Sequence, residues 1–113
     1  MQVFFKNSKM EKVARSQETL ERTYGQSGKL IAKALAILRA VPNLAELFKP
    51  FFRAHRCHLL RNDKRGKFSI DERNPYRILF EPKEPVPKKD DGGIDLENVI
   101  AVVITDLHIN THE

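Results

Sequence analysis

The fold is decided by residues 58–82, HLLRNDKRGKFSIDERNPYRILFEP. Within this segment Phe68 and Ile70 alternate with polar residues, and a period of two returns in residues 76–80. Because side chains of a β-strand point to opposite faces in turn, this alternation predicts two half-buried strands. Asn74-Pro75 lies between them and is a typical turn signal. The pattern therefore predicts two adjacent strands that follow a basic loop.

Two further strands are predicted towards the ends of the chain. Residues 2–5, QVFF, are short, apolar and aromatic, and residues 98–107 form a nearly continuous β-branched run. The segment 81–95 carries prolines, glycines and charges of both signs, which is typical of a long loop.

Two helices are predicted in the first half. A capping-box pattern at Ser8–Glu11 opens the first, whose apolar residues recur at helical spacing until Gly25. The second begins near Ser27 and Pro42 stops it, and Asn43 is typical of a cap for one further turn. The expected architecture is α+β, with two N-terminal helices on one face of a small, mainly antiparallel sheet. At 113 residues the chain is expected to form a single domain, 1–113.

The charge balance favours a polyanionic partner. The formal net charge is +5 and the isoelectric point is near 9.5. Charge alone does not separate a nucleic-acid-binding protein from an ordinary basic one. The single cysteine, Cys57, excludes an internal disulfide framework and suits a reducing compartment. No apolar run is long enough for a membrane helix and the start does not resemble a signal peptide, so a cytoplasmic protein is expected.

Basic residues crowd the segment before the central strands: Arg53, Arg56, Arg61, Lys64, Arg65 and Lys67. Cations grouped in this way can bind the phosphates of RNA, while nearby phenylalanines can pack or stack on bases. The alternative is an ordinary solvated loop. On the first interpretation the RNA-binding residues are Arg53, Arg56, Lys64, Arg65 and Lys67.

The chemistry of RNA cleavage could come from strand residues beside this loop. Arg77 alternates with apolar residues, so we expect it on an exposed face, where it could neutralise a phosphate. His108 ends the last predicted strand, and Asp106 should share its face and orient the imidazole. RNA supplies its own nucleophile, the 2′-hydroxyl, so cleavage needs a base, an acid and phosphate stabilisation without a metal. The candidate catalytic residues are His58, Arg61, Arg77, Asp106 and His108.

A metal site is a competing interpretation of the same region. Its potential ligands are His55, Cys57, His58, His108 and His112. Their spacing fits no zinc finger or ribbon, and only one thiol is present. Neither a metal nor another cofactor is therefore predicted.

Several segments, in order, resemble one family. Residues 58–71 are similar to the motif HxLKGDRKGQFxVD, residues 75–82 to PYRLIFEP, residues 89–93 to KEDGG, and residues 106–108 to DYH. The chain thus resembles toxins of type II toxin–antitoxin systems in the RelE/ParE superfamily, in particular the HigB-like "plasmid maintenance system killer" branch. This resemblance covers nearly the whole chain.

The resemblance implies a microbial-RNase-like fold and a ribosome-dependent endoribonuclease that cleaves mRNA and inhibits translation. It also implies an adjacently encoded, DNA-binding antitoxin that holds the toxin inactive in a hetero-oligomer. Carried over to this chain, His108 would transfer protons, Asp106 would be its neighbour in the site, and Arg77 would stabilise the scissile phosphate. Arg61 takes the place of the family's lysine, and His58 that of the leading histidine.

Three departures from the family pattern leave alternatives open. Arg61 replaces a lysine, Asn62 a glycine, and Leu107 the tyrosine of DYH. The loss of a tyrosine could remove a substrate contact, so a catalytically weakened RNA- or antitoxin-binding relative is one alternative. Another is a ParE-like toxin that inhibits DNA gyrase without cutting RNA, because a shared fold does not fix function.

Overall fold

A computed structural model describes residues 1–61, 66–73 and 75–110. Within them, the α-helices are α1 (Ser8–Val13), α2 (Gln17–Tyr24) and α3 (Ser27–Ala40). The strands are β1 (Gln2–Phe5), β2 (His58–Leu59), β3 (Phe68–Arg73), β4 (Tyr76–Pro82) and β5 (Ala101–Asn110). They form one sheet in the order β1-β5-β4-β3-β2. The predicted α+β class is confirmed.

The sheet is mixed, and three of its four strand pairings are antiparallel. The predicted pair of central strands is present, with Ile70 opposite Ile78 across β3 and β4. β1 instead runs parallel to β5, with Val3 opposite Val102. A parallel pairing needs a long connection, which the whole intervening chain supplies.

The first predicted helix is in fact two helices. The Asn7 Oδ1 accepts a hydrogen bond from the Met10 N–H at 2.8 Å, so Asn7 and not Ser8 caps α1. α2 has a reciprocal capping box of its own, in which the Ser16 and Thr19 side chains each accept the other's backbone N–H at 3.2 Å. The apolar spacing continues across the break between the helices, so periodicity did not reveal it.

α3 supplies the centre of the hydrophobic core. Its Ile31, Leu35 and Leu38 are fully buried among apolar residues of the sheet. The start of α3 crosses α2 at Gly28, where an added Cβ would lie 2.4 Å from the Glu21 backbone nitrogen. Only glycine permits this close approach. None of the helices in the described ranges has the length and apolar composition that a membrane span requires.

The connections contain short 3₁₀ helices. Two of them, Leu44–Phe48 and Pro50–His55, link α3 to β2, and the predicted cap Asn43 accepts the Glu46 N–H at 3.2 Å. The predicted loop 81–95 begins later than expected, because its first two residues belong to β4. A bridge between Lys88 and Ile94 closes a small turn within it.

Two register shifts in β5 decide which side chains face which way. Leu79 pairs with Asp106 but Phe80 pairs with Ile104, so one extra residue lies between those partners. A second shift follows before Ile109, which pairs with Arg77. Each extra residue reverses the alternation of side chains, as in a β-bulge. We call the face that carries Arg77 and Leu79 the outer face, because the core residues of β4 point to the helices on the other side.

Candidate functional site

Arg77 lies on the outer face but is buried, only 9% exposed, so the prediction that it is exposed is wrong. Its Nε lies 3.2 Å from the Asp71 Oδ1, directly across the β3–β4 pairing. The Asp71 Oδ2 lies 3.8 Å from the Arg56 Nε. Burial of a guanidinium is costly unless it is paired, which explains the position of Asp71. One carboxylate is thus shared between two guanidinium groups at this end of the outer face.

Arg56 reaches this position because of its backbone conformation. It ends the second 3₁₀ helix with φ at 49°, in the left-handed region that non-glycine residues seldom adopt. Strained backbone of this kind is often found at functional sites. The bend carries the chain from the 3₁₀ helix into β2 and directs the predicted RNA-binding residue Arg56 towards Asp71.

Lys67 and Asp106 meet on the same outer face. The Lys67 Nζ lies 3.8 Å from the Asp106 Oδ2, which also accepts a hydrogen bond from the Thr105 hydroxyl at 3.0 Å. A predicted RNA-binding cation and a predicted catalytic carboxylate are thus neighbours. The lysine side chain is about one-third exposed, so a ligand can still reach its ammonium group.

The His58 imidazole is held in one tautomer by the backbone. Its Nδ1 lies 3.0 Å from the Arg56 carbonyl oxygen, and a carbonyl can only accept a hydrogen bond. The hydrogen is therefore on Nδ1, and Nε2 of the neutral ring carries the free lone pair. A half-exposed imidazole with this arrangement can act as a general base through Nε2.

The register brings His58, Lys67 and Arg56 to the same region. His58 pairs with Ser69, and Lys67 precedes Ser69 by two residues on the same face. From ordinary strand spacing and rise, the Cα atoms of His58 and Lys67 are roughly 8 Å apart. Side chains of these lengths can converge on one phosphate group from such positions.

His108 lies on the helix side and not with Asp106. Its Nδ1 is 2.6 Å from the Glu72 Oε1, and its ring stacks on Tyr76 with centroids 4.0 Å apart. Tyr24 of α2 packs against the same ring at 5.1 Å. The prediction that Asp106 shares a face with His108 is wrong, because an extra residue in β5 reverses the alternation between them. His108 also lies within β5, which continues to Asn110, and not at its end.

Glu72 is the most perturbed carboxylate that the structure describes. Its side chain is 0% exposed, and burial raises its pKa from 4.5 to about 7, although the contact with His108 opposes the rise. Burial, together with the nearby Glu72, also raises the pKa of Tyr24. Neither Glu72 nor Tyr24 was predicted from the sequence as a site residue. A signal was present, since Glu72 follows Phe68 and Ile70 in steps of two and so continues an apolar face.

The other predicted residues are placed as follows. Arg53 and Arg61 are exposed, while Lys64 and Arg65 lie outside the described residues. Burial raises the pKa of the Cys57 thiol to about 12, which makes it an unreactive side chain. Among the described residues, no three histidine, cysteine or carboxylate side chains are grouped as a metal site would need. His112 also lies beyond the described ranges.

Comparison with known proteins gives no match to a family model, to a curated protein or to a solved structure.

Proposed function

We propose that the protein is the toxin of a type II toxin–antitoxin system and a ribosome-dependent endoribonuclease that cleaves mRNA. The observation that carries the proposal is the His58 ring, whose tautomer leaves Nε2 free as a base beside Lys67 and Arg56. A base and fixed cations on one surface are what cleavage by the 2′-hydroxyl requires. The ordered motifs of residues 58–71, 75–82 and 106–108 support the same conclusion.

In this mechanism the His58 Nε2 removes the proton of a 2′-hydroxyl group. The 2′-oxygen attacks the adjacent phosphorus and forms a 2′,3′-cyclic phosphate, while the 5′-oxygen leaves with a proton from the Lys67 ammonium. Arg56, which shares Asp71 with the buried Arg77, stabilises the negative charge on the phosphate oxygens. Asp106 orients Lys67 through their 3.8 Å contact.

The position of His108 leads us to assign it a structural role. Its ring contacts Tyr24 and Tyr76 and its Nδ1 contacts the buried Glu72, so it ties β5 to β3, β4 and α2. Leu107 is buried in the core at 3% exposure, so an apolar residue there serves packing. Neither residue is needed on the outer face in this proposal.

We also propose the partners that this activity entails. An adjacently encoded, DNA-binding antitoxin would neutralise the toxin in a hetero-oligomer, and the free toxin would act in the cytoplasm on mRNA at the ribosome. The positive net charge of the chain suits both an RNA substrate and an acidic antitoxin segment.

The proposal is tested by incubating the purified protein with a defined mRNA in a reconstituted translation system, with and without ribosomes. We expect cuts that require ribosomes and fragments that end in a 2′,3′-cyclic phosphate. The Lys67→Met variant should cut more slowly, whereas Lys33→Met, an exposed lysine of α3, should match the unmodified protein. Folded protein that leaves mRNA intact but inhibits DNA gyrase would refute the proposal in favour of the ParE-like alternative.

A further inference from the structure

A pocket of about 390 Å³ opens between the two 3₁₀ helices and the start of β2. It is lined mainly by aromatic and basic side chains: Phe48, Phe52, Lys49, Arg53, Arg56 and His58. Its volume is within the range of small-ligand sites, roughly 300–1,000 Å³. No carboxylate is among the described residues that line it.

The charges around the pocket are only partly neutralised. Lys49 forms an ion pair with Glu46 at 2.8 Å, and Arg56 shares Asp71 with Arg77. Arg53 is exposed, and its side chain forms no hydrogen bond or ion pair with any residue that the structure describes. The rim of the pocket therefore presents a guanidinium group that is available to a phosphate.

The aromatic side chains are unusually exposed. Phe51, which lies in sequence between the lining residues Pro50 and Phe52, is 88% exposed, and Phe48 on the wall of the pocket is 44% exposed. The Phe51 ring forms a T-shaped pair with Phe52, with centroids 4.9 Å apart and planes at 77°, and at 88% exposure most of the Phe51 ring remains accessible. Exposed rings and cations on one surface are the two elements with which proteins hold single-stranded nucleic acid.

We propose that this pocket binds one nucleotide of single-stranded RNA next to the scissile phosphate. The base stacks on Phe51 at the rim, and Arg53 binds the phosphate of the same nucleotide. His58 also lines the pocket, so the RNA strand that continues from a nucleotide held there passes the His58 Nε2. Stacking on Phe51 needs an unpaired base, so the substrate class is single-stranded RNA and not a duplex. The inference rests on the proposed function and defines its substrate.

Binding is separated from cleavage by an RNA that cannot be cut. A fluorescent single-stranded oligoribonucleotide with 2′-O-methyl groups throughout lacks the nucleophile, so its anisotropy reports affinity alone. Phe51→Ala should weaken binding roughly 5- to 150-fold, the usual effect of losing one stacked base. Arg53→Gln should weaken binding. It should also make the slope of log K against the logarithm of the salt concentration less negative by about 0.7, the value for one phosphate contact on a single strand. Thermal unfolding should be unchanged in both variants, since both side chains are exposed.

Matched controls come from the opposite edge of the sheet and from the turn after α1. Phe4→Ala removes another exposed phenylalanine, on β1, and Arg15→Gln another exposed arginine. Both should bind the oligonucleotide as the unmodified protein does. If Phe51→Ala and Arg53→Gln also keep full affinity, or if the unmodified protein prefers duplex RNA, the inference is wrong.

The same experiment distinguishes the inference from the proposed function. Loss of affinity in the two pocket variants, with no mRNA cleavage by the unmodified protein, would support the pocket and refute the nuclease. Cleavage that persists with unchanged affinity in those variants would refute the pocket alone. If both variants keep RNA affinity but lose affinity for an acidic peptide, the surface belongs to a protein partner and the inference fails.

Discussion

Replacing Glu72 with glutamine should make the stability of the protein much less sensitive to pH between about pH 5 and pH 8. The carboxyl group is fully buried, its Oε1 touches the His108 Nδ1, and its Oε2 has no hydrogen-bond partner among the described residues. Burial therefore favours the neutral acid and raises the pKa in the folded state to about 7. In the unfolded chain Glu72 should titrate near its ordinary value of 4.5.

The sign and size of the effect follow from these two pKa values. Below about pH 4.5 the group is protonated in both states, so its contribution to stability is fully present. Between about pH 4.5 and pH 7 the unfolded chain has released the proton while the folded chain still holds it, so the free energy of unfolding falls as the pH rises. Above about pH 7 the folded chain releases the proton as well, and the loss is complete. A pKa difference of about 2.5, at roughly 1.36 kcal/mol per pH unit, corresponds to a loss of about 3 kcal/mol.

Urea unfolding at constant ionic strength measures this loss directly. The stability of the unmodified protein relative to Glu72→Gln should fall by about 2.5 kcal/mol between about pH 5 and pH 8, because part of the full loss occurs below pH 5. Glu11→Gln, at an exposed carboxylate of α1, should follow the unmodified protein at every pH. If the stability of the unmodified protein relative to Glu72→Gln instead rises with pH, Glu72 is ionised in an ion pair with His108, and burial does not control its pKa.

Three further predictions concern stability and reactivity. Gly28→Ala should destabilise the fold by about 1–3 kcal/mol in urea unfolding, because the new Cβ meets the backbone of Glu21. A variant as stable as the unmodified protein would show that α2 and α3 separate easily. Ser16→Ala should lower the free energy of unfolding by about 1 kcal/mol through loss of the capping box of α2. Ser8→Ala should lower it less, which would confirm that Ser16 and not Ser8 caps a helix. Cys57 should react with a thiol reagent at about pH 8 roughly 1,000-fold more slowly in the folded protein than in urea. Burial raises the pKa of its thiol to about 12 in the folded protein, which leaves little thiolate to react. Equal rates in the two conditions would contradict the burial of Cys57.

Four of the five strands in the described residues were predictable from sequence because their signals are local, whereas β2 has only two residues and is too short to show alternation. Alternation in residues 68–70 and 76–80 requires only that each strand has one apolar face, and β1 matches its predicted range of 2–5. The break between α1 and α2 was not predictable in this way. Ala14 and Leu20 both reach the core although they flank the break, so the apolar period continues through it.

The site could be predicted only in part because it depends on register. Asp106 and His108 are two residues apart, and regular alternation would place them together. The bulges of β5 arise from pairing with β4, a long-range property that no short motif reports. The partner of Arg77 was equally hidden, because Asp71 reaches it only through the pairing of β3 with β4.

The most direct test of the account is a comparison of His58→Ala with His108→Gln in single-turnover mRNA cleavage on ribosomes. Glutamine at position 108 keeps an N–H donor for Glu72, so the fold should persist. General-base catalysis contributes about 10²–10⁴-fold, so His58→Ala should lose at least about 100-fold in rate, while His108→Gln should stay within about tenfold of the unmodified protein. A folded His58→Ala protein that cleaves at the normal rate would contradict the assignment of the catalytic surface to the outer face.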